Sequence, residues 1–330
     1  MPPRGHLLRR LLARPFLGHS FLVGDEVEVC SLDEIRATLD AQGMLEALPF
    51  MPEMEKFCGT RARVFRCLDK IYDYNRTKKM RQLDGCVLLI GLRCNGEAHG
   101  GCQAACLTIW KTRWLKRVGS DSTRPAQSHR GPARAQYPTT GRDGHFVCQF
   151  TQLQAATRPY RSIDVRRELR PLLAGNVTFR GWLAAIATRW FNVVQGWRGG
   201  QAFPSSMPGL GQSTAGIPPL DSGDVVKVRP QAEIARTLNS QNKNRGLWFD
   251  SDMIKHCGRT YRVRGRVERI LDAASGRMLE MKSPCIVLEG VECSGEFQAF
   301  GPQHEFLYWR EAWLEKSAAA EVKSGDLRVA

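Results

Sequence analysis

The stretch "GDEVEVCSLDEIRATL" (residues 24–39) decides the fold, because it recurs as "GDVVKVRPQAEIARTL" (residues 223–238). The same offset of 199 residues relates "MEKFCGTRARV" to "MIKHCGRTYRV", "CVLLIGLRCNGE" to "CIVLEGVECSGE", and "WKTRWL" to "WREAWL". No gap is needed, and more than a quarter of the aligned positions are identical. The repeat is too long for a solenoid, so it predicts two copies of one module.

The repeat and the local composition together predict the domain order. We expect a disordered or targeting-like extension (1–20), a Cys-rich first repeat (21–118), a loose linker (119–144) and a partly helical middle segment (145–200). A Pro/Gly/Ser linker (201–221), a degenerate second repeat (222–318) and a disordered tail (319–330) follow.

Local patterns within a repeat favour β-structure. "DEVEV" and "TRARVFRCLDKIYD" alternate in strand fashion, and the apolar run "GCVLLIGLRC" is typical of a central strand. Ser31 followed by Glu34 is a capping-box signal for a short helix. We therefore predict a mainly β fold with some α-structure, in which two tandem, small SH3-like barrels are joined by the middle segment. Apolar residues at helical spacing in residues 172–194 indicate an amphipathic helix that faces the core or a neighbouring domain.

The chain is strongly basic, with a net charge of +15 and a pI of about 9.6. This charge favours anionic partners, namely nucleic acid, an acidic polysaccharide or a membrane surface, although an arginine-rich surface alone would give the same balance. No window of about 20 apolar residues exists, so no membrane span is predicted. An odd count of 11 cysteines without an export signal argues against structural disulfides and for a cytoplasmic protein.

Three cysteines recur in both repeats, pairing Cys58 with Cys257, Cys86 with Cys285, and Cys94 with Cys293. Cys86 and Cys94 are eight residues apart in one predicted strand, a separation of roughly 26 Å if the strand is straight. Zinc–sulfur bonds are about 2.3 Å long, so these two cysteines cannot share one metal unless Gly91 folds the strand back. Cys86 and Cys285 are accordingly predicted to be core thiols.

The remaining cysteines cluster in "CNGEAHGGCQAAC" (residues 94–106). If residues 102–106 open a helical turn, both of its cysteines lie on one face. The predicted ligand set is Cys58, Cys94, Cys102 and Cys106, with His99 as an alternative ligand or a hydrogen-bond donor to a thiolate. Such a set suits tetrahedral zinc, or an iron–sulfur cluster as the alternative. Small buried thiols beneath a glycine-rich turn, or a reactive cysteine, would also fit the pattern.

The second repeat lacks most of this set. The positions that match His99, Cys102 and Cys106 are Gln298, Gly301 and Glu305. Cys257 and Cys293 remain, with His256 and His304 near in sequence. A degenerate copy without metal is therefore expected.

Several quoted motifs together resemble a known family. "LPFMPEM…CG", "CNGEAHGGCQAAC…WK…WL" and "GLWFDSDM…CG…CIVLEGVECSGE…YWREAWL" are similar to a family of uncharacterised bacterial proteins with this duplicated layout and a C-x4-HGGCQxxC motif. The resemblance covers nearly the whole chain and implies the tandem layout, but no particular activity. Family members carry Cys-Pro-Arg before the "WRE" segment, whereas this chain has Gly-Pro-Gln at 301–303, which weighs against a second metal site.

Two further patterns are ambiguous. The W-x3-W pairs, which are Trp110 with Trp114 and Trp309 with Trp313, would close a core or serve as a stacking platform for bases or sugars. A recurrent basic strand offers candidate phosphate contacts, or simply a solvated sheet face. Its members are Arg61, Arg63, Arg66, Arg259, Arg262, Arg264 and Arg266.

The sequence contains no acid–base constellation of an enzyme. Our leading hypothesis is a non-catalytic binding or scaffold module that carries a Cys-rich metal site in the first repeat, structural zinc being favoured, and docks a protein or an anionic partner. The alternatives are an iron–sulfur or thiol-based redox or accessory enzyme, and a nucleic-acid-binding protein.

Overall fold

The computed structural model describes residues 21–74, 76–118, 137, 139–141, 143–160, 165–201, 203, 209, 219–295 and 303–317. The expected N-terminal extension, all of the expected C-terminal tail and most of both linkers lie outside these residues. The described residues divide into two compact units. The first comprises those up to Trp182 with Leu271–Leu279 and Gln303, and the second comprises those of Leu183–Ile270 and Glu280–Ala299 and those from His304 onward.

The first unit is built on an antiparallel sheet of order β6-β5-β4-β1-β7, with β8 paired to β5 and a separate β2–β3 ladder. Its strands are β1 (Glu26–Val29), β2 (Met44–Leu45), β3 (Leu48–Pro49), β4 (Arg61–Asp73), β5 (Lys79–Arg93), β6 (Leu107–Lys111), β7 (Leu115–Arg117) and β8 (Arg158–Pro159). Its helices are α1 (Leu32–Arg36), α2 (Leu153–Ala156) and α3 (Val165–Ala174), with 3-10 helices at Pro52–Phe57, Glu97–His99 and Thr112–Trp114.

The second unit contains a sheet of order β14-β13-β12-β9-β15 and a β10–β11 ladder. Its strands are β9 (Val225–Val228), β10 (Lys243–Asn244), β11 (Leu247–Trp248), β12 (Thr260–Leu271), β13 (Met278–Glu292), β14 (Phe306–Trp309) and β15 (Leu314–Lys316). The helices are α5 (Gln231–Thr237) and α6 (Ser251–Ile254), with a 3-10 helix at Glu311–Trp313. A long helix, α4 (Phe179–Arg198), crosses the boundary between the two units in the chain.

The fold is mainly β with some α-structure, as predicted. The two main sheets share one strand order, element by element. Neither sheet closes into a barrel in the described residues, so the SH3-like assignment is not confirmed.

The repeated tryptophans belong to the core. Trp114 and Trp313 are fully buried, and the indole N–H of each donates to a threonine hydroxyl at 2.9 Å, Thr38 in the first unit and Thr237 in the second. A phenylalanine meets each of them edge-on, at 5.5 Å in the first unit and 5.3 Å in the second. Trp110 and Trp309 are equally buried, so none of the four offers a face for stacking a ligand.

Two local predictions are confirmed. Ser31 and Glu34 form the capping box of α1, since the Glu34 N–H donates to Ser31 Oγ and the Ser31 N–H donates to Glu34 Oε2. The thiols of Cys86 and Cys285 are buried in the core as expected.

The middle segment is helical but differs from its prediction. Residues 172–194 do not form one helix: α3 ends at Ala174, and α4 begins at Phe179. Gly175 lies between them with a φ of +88°, a left-handed conformation that interrupts a helix. The side chains of α4 do not face a core, because none of its residues is buried. Among the described residues, no helix combines the length and the apolar character required to cross a bilayer.

Candidate metal centre

Three side chains of ligand type converge in the first unit. His99 Nδ1 lies 2.8 Å from Glu53 Oε1. Cys94 Sγ lies 3.9 Å from the same carboxylate oxygen and 3.8 Å from the same ring nitrogen. In the described part of the chain, these residues form the one group of three or more such side chains close enough to hold an ion.

Each member comes from a different local structure. Glu53 lies in the 3-10 helix Pro52–Phe57, Cys94 directly follows β5, and His99 ends the short 3-10 helix Glu97–His99. Gly96 has a φ of +75°, and a Cβ there would lie 1.9 Å from the carbonyl oxygen of Cys102. The loop can therefore turn back on itself only with glycine at this position.

The cluster is buried and incompletely satisfied. The side chains of Glu53 and His99 are each 2% exposed. Glu53 Oε1 also accepts a hydrogen bond from the Ala98 N–H at 3.0 Å. Glu53 Oε2 and His99 Nε2 are buried without a hydrogen-bond partner among the described residues. An unsatisfied buried polar atom costs about 1–3 kcal/mol, so an ordered water or another polar partner is expected beside each of these two atoms. Neither of them is one of the atoms that face Cys94 Sγ.

The two acidic groups differ in charge state. Burial acts to raise the pKa of Glu53, but hydrogen bonds from His99 and the backbone outweigh it and hold the pKa below its ordinary value. Burial, reinforced by the charge of Glu53, raises the pKa of Cys94 to about 12. Without a metal, the cluster thus pairs a carboxylate with a neutral thiol.

These properties do not fit a catalytic cysteine. An activated nucleophile has a lowered thiol pKa, whereas that of Cys94 is raised. In a Cys–His–acid relay, moreover, the acid and the nucleophile contact opposite nitrogens of the imidazole. Here Glu53 and Cys94 both face Nδ1 of His99. Convergence on a single point is an arrangement that metal ligands adopt, and these three residues could hold an ion.

A cavity with a thiol-rich wall adjoins the cluster. Besides Cys94 and His99, its lining includes Cys102, Cys106 and Cys148. Cys102 Sγ accepts a hydrogen bond from the Leu271 N–H at 3.3 Å. The cavity places three further sulfur-bearing residues around the same space as two members of the cluster.

The structure therefore places the five predicted ligands in three different surroundings. Cys94 and His99 belong to the cluster, and Cys102 and Cys106 line the adjoining cavity. Cys58 belongs to neither: it ends the 3-10 helix Pro52–Phe57, packs against the core, and has a pKa raised to about 11 by burial. The assignment of these residues as metal ligands stays a prediction.

The expected helical turn over residues 102–106 is wrong. The segment is irregular up to the start of β6 at Leu107. Ala105 has a φ of +48°, which is outside the right-handed helical region. The two cysteines therefore reach one cavity without sharing a helix face.

Two residues of the site were missed in the sequence, Glu53 and Cys148. A search for cysteine and histidine spacing overlooks a carboxylate ligand. One signal was present, because the position that matches Glu53 in the second repeat is also acidic, Asp252. Cys148 lies in the middle segment and has no counterpart in the second repeat, so no repeat pattern marks it.

The second unit retains part of the arrangement and satisfies it differently. Asp252 accepts hydrogen bonds from the Ser294 hydroxyl at 2.6 Å and the Ser294 N–H at 2.8 Å. Cys293 matches Cys94, but the counterpart of His99, Gln298, lies outside the described residues. His256, the residue before Cys257, contacts the Tyr261 hydroxyl through its ring Nδ1 at 2.6 Å. The prediction that this copy binds no metal is not tested.

The recurrent arginines have varied local partners. Arg63 pairs with Glu26 at 3.1 Å, and Arg266 pairs with Glu311 at 2.7 Å. Arg264 lies over the ring of Phe306. Arg66 is half-buried, and the exposed members are Arg61, Arg63, Arg259, Arg262 and Arg264. A role in contacting phosphate stays a prediction.

Comparison of the chain with family models, with curated proteins and with solved structures gives no match. The class of site is therefore argued from its geometry alone: a buried Glu–Cys–His cluster of metal-ligand type.

Proposed function

We propose that the protein is a non-catalytic binding module built from two copies of one β-module, the first of which holds a metal ion, with structural zinc favoured. The duplication is supported by the constant 199-residue offset and the shared strand order. The tryptophan–threonine pairs Trp114–Thr38 and Trp313–Thr237 support it further, because a buried hydrogen bond of the same length recurs in both units.

One observation carries the metal centre: the convergence of Glu53 Oε1, Cys94 Sγ and His99 Nδ1 at one buried point of the first unit. In tetrahedral zinc sites, bond lengths of about 2.0–2.3 Å place nitrogen and oxygen ligands roughly 3.3 Å apart and sulfur roughly 3.6 Å from either. The corresponding distances here are 2.8, 3.8 and 3.9 Å. Shifts of about half an ångström or less would bring the three atoms to ligand positions.

The donor chemistry also fits zinc. Thiolate sulfur, imidazole nitrogen and carboxylate oxygen are all zinc ligands, whereas magnesium and calcium take oxygen ligands. The three residues leave one tetrahedral position open, and Cys102, Cys106 or Cys148 of the adjoining cavity would supply the fourth ligand.

A metal at this point would stabilise the fold. It would join the 3-10 helix that carries Glu53 to the end of β5 and to the glycine-rich loop, segments more than 40 residues apart in sequence. Binding energy of a structural zinc contributes directly to folding, because the unfolded chain has no preformed site. A structural role agrees with the absence of an acid–base constellation in the sequence.

The proposal is tested by elemental analysis of protein purified without air. The variant is Cys94→Ser, and the matched control is Cys293→Ser, which changes the corresponding cysteine of the second repeat. We expect about one zinc per chain in the wild type and the control, and loss of zinc in Cys94→Ser. His99→Gln should lose zinc likewise. Absence of metal from the wild type, or full zinc content in both ligand variants, would overturn the proposal.

The thiol-rich wall of the cavity favours one second candidate, an iron–sulfur or thiol-based redox protein. Cys94, Cys102, Cys106 and Cys148 all line this space, and four thiolates are the usual ligands of such clusters. The same preparation separates the candidates. Brown protein that contains iron and acid-labile sulfide would support the cluster, and colourless zinc protein would contradict it.

A further inference from the structure

Helix α4 presents an uncovered apolar stripe. None of its residues is buried. Trp197 is 82% exposed and Trp190 is 65% exposed. These values are unusual for tryptophan, whose large apolar ring is normally covered in a folded domain. Leu183, Val193 and Val194 are exposed as well.

Most of the large apolar side chains of α4 lie on one face. At about 100° of rotation per residue, six of them fall within a sector of roughly 100°, whereas the exposed Phe191 lies roughly 60° beyond its edge. The six residues, here called the α4 stripe, are Leu183, Ile186, Trp190, Val193, Val194 and Trp197. The opposite face carries small or polar residues, among them Ala185, Thr188, Asn192 and Gln195. The helix is thus amphipathic, with its apolar side towards solvent in the described structure.

The charge around the α4 stripe has one sign. The sequence contains no acidic residue between Glu168 and Asp221, and α4 contains Arg180, Arg189 and Arg198. By helical rotation, Arg189 flanks one edge of the stripe and Arg198 the other. Such a surface is complementary to an apolar layer bordered by negative charge.

A second copy of the chain fits this surface poorly. Face-to-face association of two α4 stripes would bring identical arginine borders together in a protein of net charge +15. Nucleic acid would engage the arginines but offers no cover for the aliphatic residues of the stripe. A lipid surface with anionic headgroups satisfies both features, because acyl chains take up the apolar side chains and phosphates pair with the arginines.

We propose that α4 lies in the interface of an anionic membrane, with the α4 stripe at the boundary between headgroups and acyl chains. Tryptophan suits this depth, since its ring is apolar and its N–H is polar. Flanking arginines reach the phosphate layer along their apolar stems. This inference does not rest on the metal centre.

The test is co-sedimentation of the full-length protein with vesicles of phosphatidylcholine alone and of phosphatidylcholine with phosphatidylglycerol. The variants are Trp190→Ser with Trp197→Ser, and Arg189→Gln with Arg198→Gln. Their matched controls are Trp248→Ser, which removes an exposed tryptophan outside α4, and Arg236→Gln with Arg245→Gln, which removes two exposed arginines of the second unit. Equal circular dichroism spectra would show that all variants fold.

We expect binding to the anionic vesicles that weakens at high salt, and a loss of at least about tenfold in affinity in the double tryptophan variant. The double arginine variant should weaken binding several-fold, and both controls should bind like the wild type. No binding by the wild type, or equal loss in the controls, would overturn the proposal. So would dimerisation in sedimentation velocity that disappears in the double tryptophan variant, since the α4 stripe would then be a self-association surface.

Discussion

Gly96 shows how one residue shapes the candidate metal centre. Its φ of +75° and the 1.9 Å approach of the Cys102 carbonyl oxygen to a Cβ built there leave no room for a side chain. Gly91 has a similar φ of +76° but no atom within 4 Å. An added Cβ would therefore cause backbone strain at both positions, but steric overlap only at Gly96.

We predict that Gly91→Ala costs about 1–2 kcal/mol of unfolding free energy, the usual cost of a left-handed conformation for a residue with a Cβ. Gly96→Ala should cost at least about 2 kcal/mol more, because backbone atoms must also move. Urea unfolding of both variants measures the difference. Equal costs at the two positions would show that the loop relaxes freely around Gly96.

His256 occupies the position that Phe57 holds in the first repeat. Burial, with the nearby charges of Lys255 and Arg259, lowers the pKa of His256 to about 4. In the unfolded chain the pKa is about 6.5. The folded state therefore favours neutral imidazole, and its contribution to stability is present above pH 6.5 and is lost as the pH falls towards 4.

Replacing this histidine should remove the acid sensitivity. We predict that His256→Phe reduces the loss of unfolding free energy between pH 7 and pH 4.5 by roughly 1–3 kcal/mol. Denaturant unfolding at the two pH values provides the measurement. Phe57→His is the reciprocal control and should introduce a similar sensitivity into the first unit. An unchanged pH dependence in His256→Phe would contradict the assignment.

At the scale of elements, strands β6 and β14 differ in the hydrogen bonds of one side chain, the Thr108 hydroxyl, which also donates to the Leu92 carbonyl oxygen at 2.9 Å. In β6 the buried Trp110 N–H donates to the Thr108 hydroxyl at 2.8 Å. The matching residue in β14 is Leu307, and the N–H of Trp309 is buried without a hydrogen-bond partner among the described residues. The second unit thus lacks an acceptor that the first unit has.

We predict that Thr108→Val costs about 1–2 kcal/mol, because it leaves the buried Trp110 N–H unsatisfied and removes the hydrogen bond to the Leu92 carbonyl oxygen, with little change of shape. In the second unit, Leu307→Thr and Leu307→Val remove similar apolar volume, but only threonine restores an acceptor. Leu307→Thr should therefore be more stable than Leu307→Val by about 1 kcal/mol. Thermal and urea unfolding test both comparisons. If Leu307→Val is as stable as Leu307→Thr, the prediction for β14 is contradicted.

At the scale of the whole molecule, a metal held by Glu53, Cys94 and His99 would stabilise the first unit. Ligand binding to the folded state alone stabilises it by about 4 kcal/mol when free ligand exceeds Kd a thousandfold. We predict that a chelator reduces hydrogen-exchange protection in peptides covering residues 53–58 and 86–106. The corresponding peptides of the second repeat, covering 252–257 and 285–295, should change little.

Hydrogen exchange with mass spectrometry resolves these peptides, and Cys94→Ser protein is the control, since the chelator should have no effect on it. Equal loss of protection in both sets of peptides, or none in either, would show that metal does not stabilise the first unit selectively.

The sequence alone determined the features that depend on local spacing. The capping box of Ser31 and Glu34, the core positions of Cys86 and Cys285 and the mainly β content all follow from residue order and periodicity. Side-chain alternation and helix capping involve residues a few positions apart, so a linear pattern carries them.

Only the tertiary structure decided which side chains meet. Glu53 meets Cys94 across 41 positions, and Cys148 reaches the adjoining cavity from the middle segment. Cys58 packs against the same core but neither joins the cluster nor lines the cavity. Positive φ angles around residues 96–105 replaced the expected helix by an irregular loop. The sequence predicts that the apolar face of α4 packs against a core or a neighbouring domain. In the structure, none of the residues of α4 is buried. Periodicity defines which residues share a face, whereas packing between distant segments decides what that face contacts.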